Sequence, residues 1–123
     1  MAKFIYHNEN PQSDRINDCV TRAISFASDM DYADVRKKLW LTAELYECNR
    51  ICRFCYENFI TNTLQYKRVN CDGFTVEEFA DTHPYGTYLI RVPSHLTVIR
   101  DGILYDIWDC RDEFCDIAWK RAD

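Results

Sequence analysis

The sequence predicts an α+β fold in which N-terminal helices pack on a C-terminal antiparallel β-sheet. Apolar residues recur at helical spacing through the first part of the chain, and the pattern becomes β-rich after Pro84. An Asp101–Gly102 dipeptide then separates two alternating runs, which is a strong hairpin signal. The 123 residues, 47% of them apolar, predict a single domain over residues 1–123.

The helices are placed by spacing and by capping signals. Residues 1–16 show no periodicity, so we expect them to be irregular. The pair Asn17–Asp18 is suited to cap a helix that begins at Asp18. Thr75 and Glu78 form a capping box. The later helices are expected over about Asp31 to Cys48, Ile51 to Leu64 and Val76 to Thr82.

The hairpin allows a geometric prediction. The expected strands are Tyr85 to Val92, His95 to Arg100, Ile103 to Trp108 and Phe114 to Trp119. A two-residue turn pairs Thr97 with Asp106 and places His95 and Thr97 on one face with Asp106 and Trp108. Asp106 is then the diagonal neighbour of His95, within side-chain reach. Asp109 falls on the opposite face.

The chain has seven cysteines, and some of them are candidate metal ligands. Three of them lie in CNRICRFC, at i, i+4 and i+7, which on a helix gives one face of buried thiols. The same spacing binds the iron–sulfur cluster of radical enzymes, but those proteins are far larger. A zinc site of Cys48, Cys52 and Cys55 with Cys71 stays open, as does redox chemistry of Cys52 and Cys55. Cys110 and Cys115 have no assigned function.

Cys19 is the stronger candidate for chemistry. It lies in the first turn of a predicted helix, where backbone N–H groups and the helix dipole favour a thiolate. A nucleophilic cysteine needs a base, and His95 opens the first hairpin strand. Asp106 beside it would fix the imidazole tautomer and stabilise the imidazolium. The alternative is that Cys19 only packs in the helix and that His95 and Asp106 form a surface cross-strand pair.

The order of these residues resembles papain-like cysteine peptidases. The stretch NDC and the His-led apolar strand before an Asp are similar to the bacteriocin-processing peptidase domains of export transporters. NDCVTRAIS, TVEEFADTHPYGTYLIRVPSH and DGILYDIWDC are similar to small proteins of phages and prophages. The resemblance covers residues 17–29 and 75–110. It implies a minimal papain-like fold with Cys19 as nucleophile, His95 as general base and acid, and Asp106 as its orienting group.

The resemblance also implies an oxyanion donor, and here the sequence departs from the family. Papain-like enzymes place a Gln six residues before the cysteine, a position that is Ser13 in this chain. Gln12 is one residue further away, and Asn17 or the Cys19 backbone N–H are the other candidates. Val20 stands where the transporter peptidases have Gly.

We therefore expect a cysteine peptidase, or a related thiol hydrolase or acyltransferase, that needs no cofactor. Its partner would be a peptide or protein, which for a phage protein means one from the host. The net charge of −5 argues against nucleic acid, and no apolar run is long enough to cross a membrane. The N-terminus lacks a secretory signal, which favours the cytoplasm. The alternative function is a catalytically weak or inactive module that binds a host protein through exposed Tyr and Trp.

Overall fold

The computed structural model describes residues 2–12, 18–49 and 52–122. These residues form helices and one six-stranded sheet, so the predicted α+β class is confirmed. The helices are α1 (Cys19–Ser28), α2 (Tyr32–Leu45), α3 (Arg53–Asn58), which continues as a π-helical turn (Phe59–Thr63), and α4 (Val76–Thr82). The strands are β1 (Lys3–Tyr6), β2 (Lys67–Val69), β3 (Thr87–Val92), β4 (His95–Arg100), β5 (Ile103–Asp106) and β6 (Ile117–Lys120).

The sheet has the order β1-β5-β4-β3-β6-β2. All its pairings are antiparallel except that of β1 with β5, which is parallel and aligns Lys3 with Ile103. The prediction that residues 1–16 are irregular is therefore wrong for Lys3–Tyr6. So is the expectation that all helices precede the sheet, because β1 and β2 come before α4. Both strands are too short to show an alternating pattern of their own.

The hairpin of β4 and β5 has the predicted register. Asp101 and Gly102 have φ of 51° and 75°, the backbone that a two-residue hairpin turn requires. Arg100 pairs with Ile103, as expected. β5 ends at Asp106 rather than Trp108, since the Asp106 carboxylate accepts a hydrogen bond from the N–H of the next residue and turns the chain.

The last strand begins later than the sequence indicates. The predicted strand from Phe114 to Trp119 is instead β6, which begins at Ile117 and includes Trp119. Phe114 forms only an isolated antiparallel bridge with Thr75 at the start of α4. This bridge ties the segment before β6 to α4 and leaves the Phe114 side chain exposed.

Two apolar clusters lie on opposite faces of the sheet. Leu89, Val98 and Trp119 pack with α1, α2 and α3. Ile90, Ile99 and other strand residues face α4 and the segment before β6. Side chains of a strand point alternately to its two faces, so the central strands are buried on both sides. They form a rigid platform for the residues at their ends.

Candidate active site

The three residues of the predicted triad meet at one end of the sheet. Cys19 is the first residue of α1, His95 the first residue of β4 and Asp106 the last residue of β5. Because β4 and β5 are antiparallel, the start of one lies beside the end of the other. The N-terminus of α1 packs against this corner, since α1 and β4 are in extensive contact.

His95 is held by Asp106. The distance from His95 Nε2 to Asp106 Oδ2 is 2.6 Å, and both side chains are largely buried. Thr97 Oγ1 donates to the same carboxylate oxygen at 2.6 Å. The Trp108 ring packs against the imidazole in an edge-to-face arrangement, with ring centroids 4.9 Å apart. His95, Thr97 and Asp106 share one face of the hairpin as predicted, whereas Trp108 lies beyond the end of β5 and contacts His95 from there. The catalytic roles of the triad remain a prediction.

Cys19 and His95 form a polarised pair. Burial raises the pKa of the Cys19 thiol, but the hydrogen bond with His95, the Leu96 backbone N–H and the charges of His95 and Arg22 together hold it below its ordinary value. Burial lowers the pKa of His95, and the Asp106 and Cys19 contacts more than reverse this and raise it to about 9. Nε2 faces Asp106, which leaves Nδ1 for the thiol. Both shifts favour the form of the pair in which Cys19 is a thiolate and His95 an imidazolium.

Asp106 stays ionised at the same pH. Burial raises the pKa of its carboxyl group, whereas hydrogen bonds from His95, Thr97 and the Ile107 backbone N–H lower it below its ordinary value. A buried carboxylate with this many donors is a stable orienting group for an imidazolium. When Cys19 is ionised, the imidazolium of His95 thus lies between two negative charges, the thiolate and the Asp106 carboxylate.

Arg22 is a site residue that the sequence analysis missed. Its Nε donates to Asp18 Oδ1 at 2.6 Å, and its Nη1 lies 3.4 Å from Asp106 Oδ1. Asp18 also accepts hydrogen bonds from Tyr32 and Asn10. The i, i+4 spacing of Asp18 and Arg22 on a helix was the available signal for the first contact. The second joins residues far apart in the chain, which spacing cannot reveal.

The N-terminus of α1 is open to an anion. Asp18 occupies the N-cap position, as predicted, yet its side chain makes no cap hydrogen bond because it faces Arg22. The first-turn amides and the helix dipole therefore remain available to a developing negative charge beside Cys19. Asn17, a predicted oxyanion donor, lies outside the described residues. Gln12, the second predicted donor, lines a separate groove with Tyr32 and Trp40. It is not among the residues of the cleft that Cys19 and His95 form with Tyr56, Arg91 and their neighbours.

The cysteines of CNRICRFC do not share one helix face. Glu47 has φ of 53° and follows the end of α2, and Cys52 has extended backbone at the N-cap of α3, so only Cys55 is helical. The three thiols are nevertheless neighbours, and burial together with contacts to the other two raises the pKa of Cys55 to about 12. Cys71 contacts Cys115 instead. The structure does not bring it to the other three as a fourth zinc ligand.

Within the described ranges, one group of three ligand-type side chains is close enough to hold a metal ion. His95, Asp106 and Cys110 have ligand atoms within 4.8 Å of one another. Burial and the nearby Asp106 raise the pKa of the Cys110 thiol to about 12, and it contacts Thr97. The lone pairs of Asp106 are already engaged by several donors. These atoms fit a hydrogen-bonded triad better than a coordination sphere, whose ligands must be deprotonated and free to bind.

The described helices include none long and apolar enough to cross a membrane. Comparison of the chain with protein-family models, with curated proteins and with solved structures found no match.

Proposed function

We propose that this protein is a thiol hydrolase that cleaves amide bonds, most simply a cysteine peptidase. The observation that carries the proposal is the contact chain from the Cys19 thiol through His95 to Asp106, with 2.6 Å between the last two side chains. The N-terminal location of Cys19 on α1 supports it. The earlier resemblance of the sequence to papain-like peptidases points to the same chemistry.

The proposed reaction follows from the protonation states of Cys19 and His95. The Cys19 thiolate attacks the substrate carbonyl, and an S–C bond forms while the first-turn amides of α1 stabilise the oxyanion. The C–N bond then breaks, and His95 gives its proton to the leaving amine. Water next transfers a proton to His95 and attacks the thioester, which releases the acid and restores the thiolate. An amine in place of water would give acyl transfer by the same residues.

The test is to trap the acyl-enzyme. The purified protein is incubated with a diverse peptide library, quenched in acid and digested, and Cys19 is examined by mass spectrometry for a thioester. We expect acylation at Cys19 and new peptide termini in the wild type, and neither in Cys19→Ala. Cys48→Ala is the matched control, because it removes an accessible thiol outside the triad. Equal peptide cleavage by Cys19→Ala would contradict the proposal.

A binding module without activity is the second candidate. Large aromatic side chains are exposed, among them Tyr6 and Tyr85. Such side chains are common anchors in protein interfaces. This function is favoured if Cys19 is never acylated while the protein still captures a peptide of the library. Stoichiometric zinc that is lost in Cys110→Ala would instead favour a metal site.

A further inference from the structure

The cleft at Cys19 has a basic wall. Its volume is about 200 Å³, and the residues that line it are Cys19, Val20, Arg53, Tyr56, Arg91, Ser94, His95 and Leu96. Two arginines, Arg53 and Arg91, therefore border the space next to the nucleophile. No Asp or Glu is among these residues, which all belong to the described part of the chain. This is notable in a protein with a net charge of −5.

Arg91 is fixed in place before any substrate binds. Its Nε donates to the Tyr56 hydroxyl at 3.0 Å, and its Nη1 to Asp116 Oδ2 at 2.7 Å. A guanidinium has five N–H donors, which is more than these two contacts use. Asp116, the carboxylate that partly compensates this charge, does not line the cleft. Arg91 can thus keep its ion pair with Asp116 and still bind a second anion.

Arg53 adds a second charge, on a side chain that is more exposed than that of Arg91. It is the first residue of α3, and its Nε donates to Glu57 Oε2 at 2.6 Å on the outside of the helix. Its side chain is about half exposed, whereas Glu57 does not line the cleft. Arg53 and Arg91 come from different elements and converge beside Cys19. Paired guanidinium groups are suited to bind a carboxylate through parallel hydrogen bonds.

We propose that this cleft selects substrates with a carboxylate next to the scissile carbonyl, so that an acidic peptide is the preferred class. The selection rests on the proposed function, because Cys19 must be the nucleophile. The carboxylate comes either from an Asp or Glu side chain or from a free C-terminus. The same two guanidinium groups serve both sources.

A pair of small alkylating reagents tests this without a known substrate. Iodoacetate and iodoacetamide have nearly the same shape, but only iodoacetate is an anion. With each, the Cys19 thiolate forms an S–CH₂ bond and iodide leaves. The ratio of their rate constants at Cys19, divided by the same ratio for glutathione, reports the charge of the cleft. We expect this normalised ratio to exceed one by about threefold to tenfold at low salt, and to fall as salt is added.

The variants separate the two arginines from the rest of the molecule. Arg53→Gln and Arg91→Gln should each lower the ratio by about threefold. Because both reagents react with the same thiolate, the ratio cancels any change that these variants cause in the intrinsic reactivity of Cys19. Arg91→Lys should keep most of the preference, which guards against a folding defect in Arg91→Gln. Lys67→Gln, on the edge strand β2, removes one positive charge away from the cleft and should leave the ratio unchanged.

The outcomes distinguish the two proposals. A fast Cys19 with a normalised ratio near one, or with a ratio that the arginine variants do not change, overturns the acidic preference and leaves the hydrolase proposal intact. A Cys19 inert to both reagents overturns both. Two peptides then separate the sources of the carboxylate. If a Glu peptide with an amidated C-terminus acylates Cys19 preferentially, the cleft recognises the side-chain carboxylate. If a Gln peptide with a free C-terminus does so, the cleft recognises the C-terminal carboxylate.

Discussion

The charges of single residues decide when this site is reactive. The Cys19 thiolate is lost as the pH falls through its lowered pKa, and the His95 imidazolium is lost as the pH rises through about 9. Both charged forms coexist only between these limits. The two groups titrate as one coupled pair, so the limits belong to the pair rather than to either residue.

The first prediction concerns the nucleophile. Alkylation of Cys19 by iodoacetamide should show a plateau that begins well below the ordinary thiol pKa of 9.0, because the imidazolium stabilises the thiolate. In His95→Ala this plateau should disappear, and the rate at pH 7 should fall by at least about tenfold. Peptide mass spectrometry at each pH gives the site-resolved rate. Identical profiles in the two proteins would show that no ion pair forms.

The second prediction concerns Asp106. The Asp106→Asn change removes the carboxylate that raises the pKa of His95, so this pKa should fall from about 9 toward 6.5. The imidazolium is then lost at a lower pH, and the reactive window narrows from its alkaline side. NMR titration of the His95 ring protons measures the shift. Asp109→Asn is the control, since Asp109 pairs with the surface residue Arg111, and it should leave the His95 titration unchanged.

At the scale of elements, the hairpin turn sets the register on which the site depends. A Cβ at position 102 would be 3.4 Å from the Ala80 carbonyl oxygen, on a backbone with φ of 75°. Local turn chemistry of this kind is visible in the sequence, which is why the contact of His95 with Asp106 could be predicted. The CNRICRFC segment gave no such signal, since the turn at Glu47 that ends α2 early has no distinctive residue.

The third prediction uses this turn. Gly102→Ala should cost about 1–2 kcal/mol of the free energy of unfolding, because an L-residue is strained at positive φ. It should also slow Cys19 alkylation, as the strained turn disturbs the alignment of His95 and Asp106. Gly73→Ala has the same kind of backbone strain at φ of 81° without steric contact. It should lower stability but keep the reactivity. Urea unfolding and alkylation rates measure the two effects separately.

At the scale of the whole molecule, Arg22 joins the helical layer to the sheet. Its guanidinium bridges Asp18 at the start of α1 and Asp106 at the end of β5, and all three side chains are nearly fully buried. Apart from the contact of Cys19 with His95, which residue chemistry and the family resemblance suggested, contacts between distant segments are the part of this fold that sequence could not predict. The parallel edge strand β1 was missed for the same reason, as were Arg53 and Arg91, which meet only in the folded cleft.

The fourth prediction follows from this bridge. Arg22→Met should destabilise the fold by about 3–5 kcal/mol, because it leaves two buried carboxylates without their shared cation. Arg53→Gln removes an exposed pair with Glu57 and should cost less than about 1 kcal/mol. Thermal and urea unfolding of both variants supply the comparison. If the two variants lose a similar amount of unfolding free energy, the Arg22 bridge stabilises the fold no more than a surface ion pair does.

The pairing of β1 with β5 also bears on when the site forms as the chain is synthesised and folds. Cys19 leaves the ribosome long before His95 and Asp106, and β1 must wait for β5 before it can join the sheet. Closing so long a loop is entropically costly, so we expect this docking to be late in folding. His7, just after β1, donates its backbone N–H to the Asp106 carbonyl oxygen at 2.9 Å. A nascent chain consequently carries an ordinary thiol at position 19, and the thiol becomes a nucleophile only after His95 and Asp106 have been synthesised and have joined the sheet.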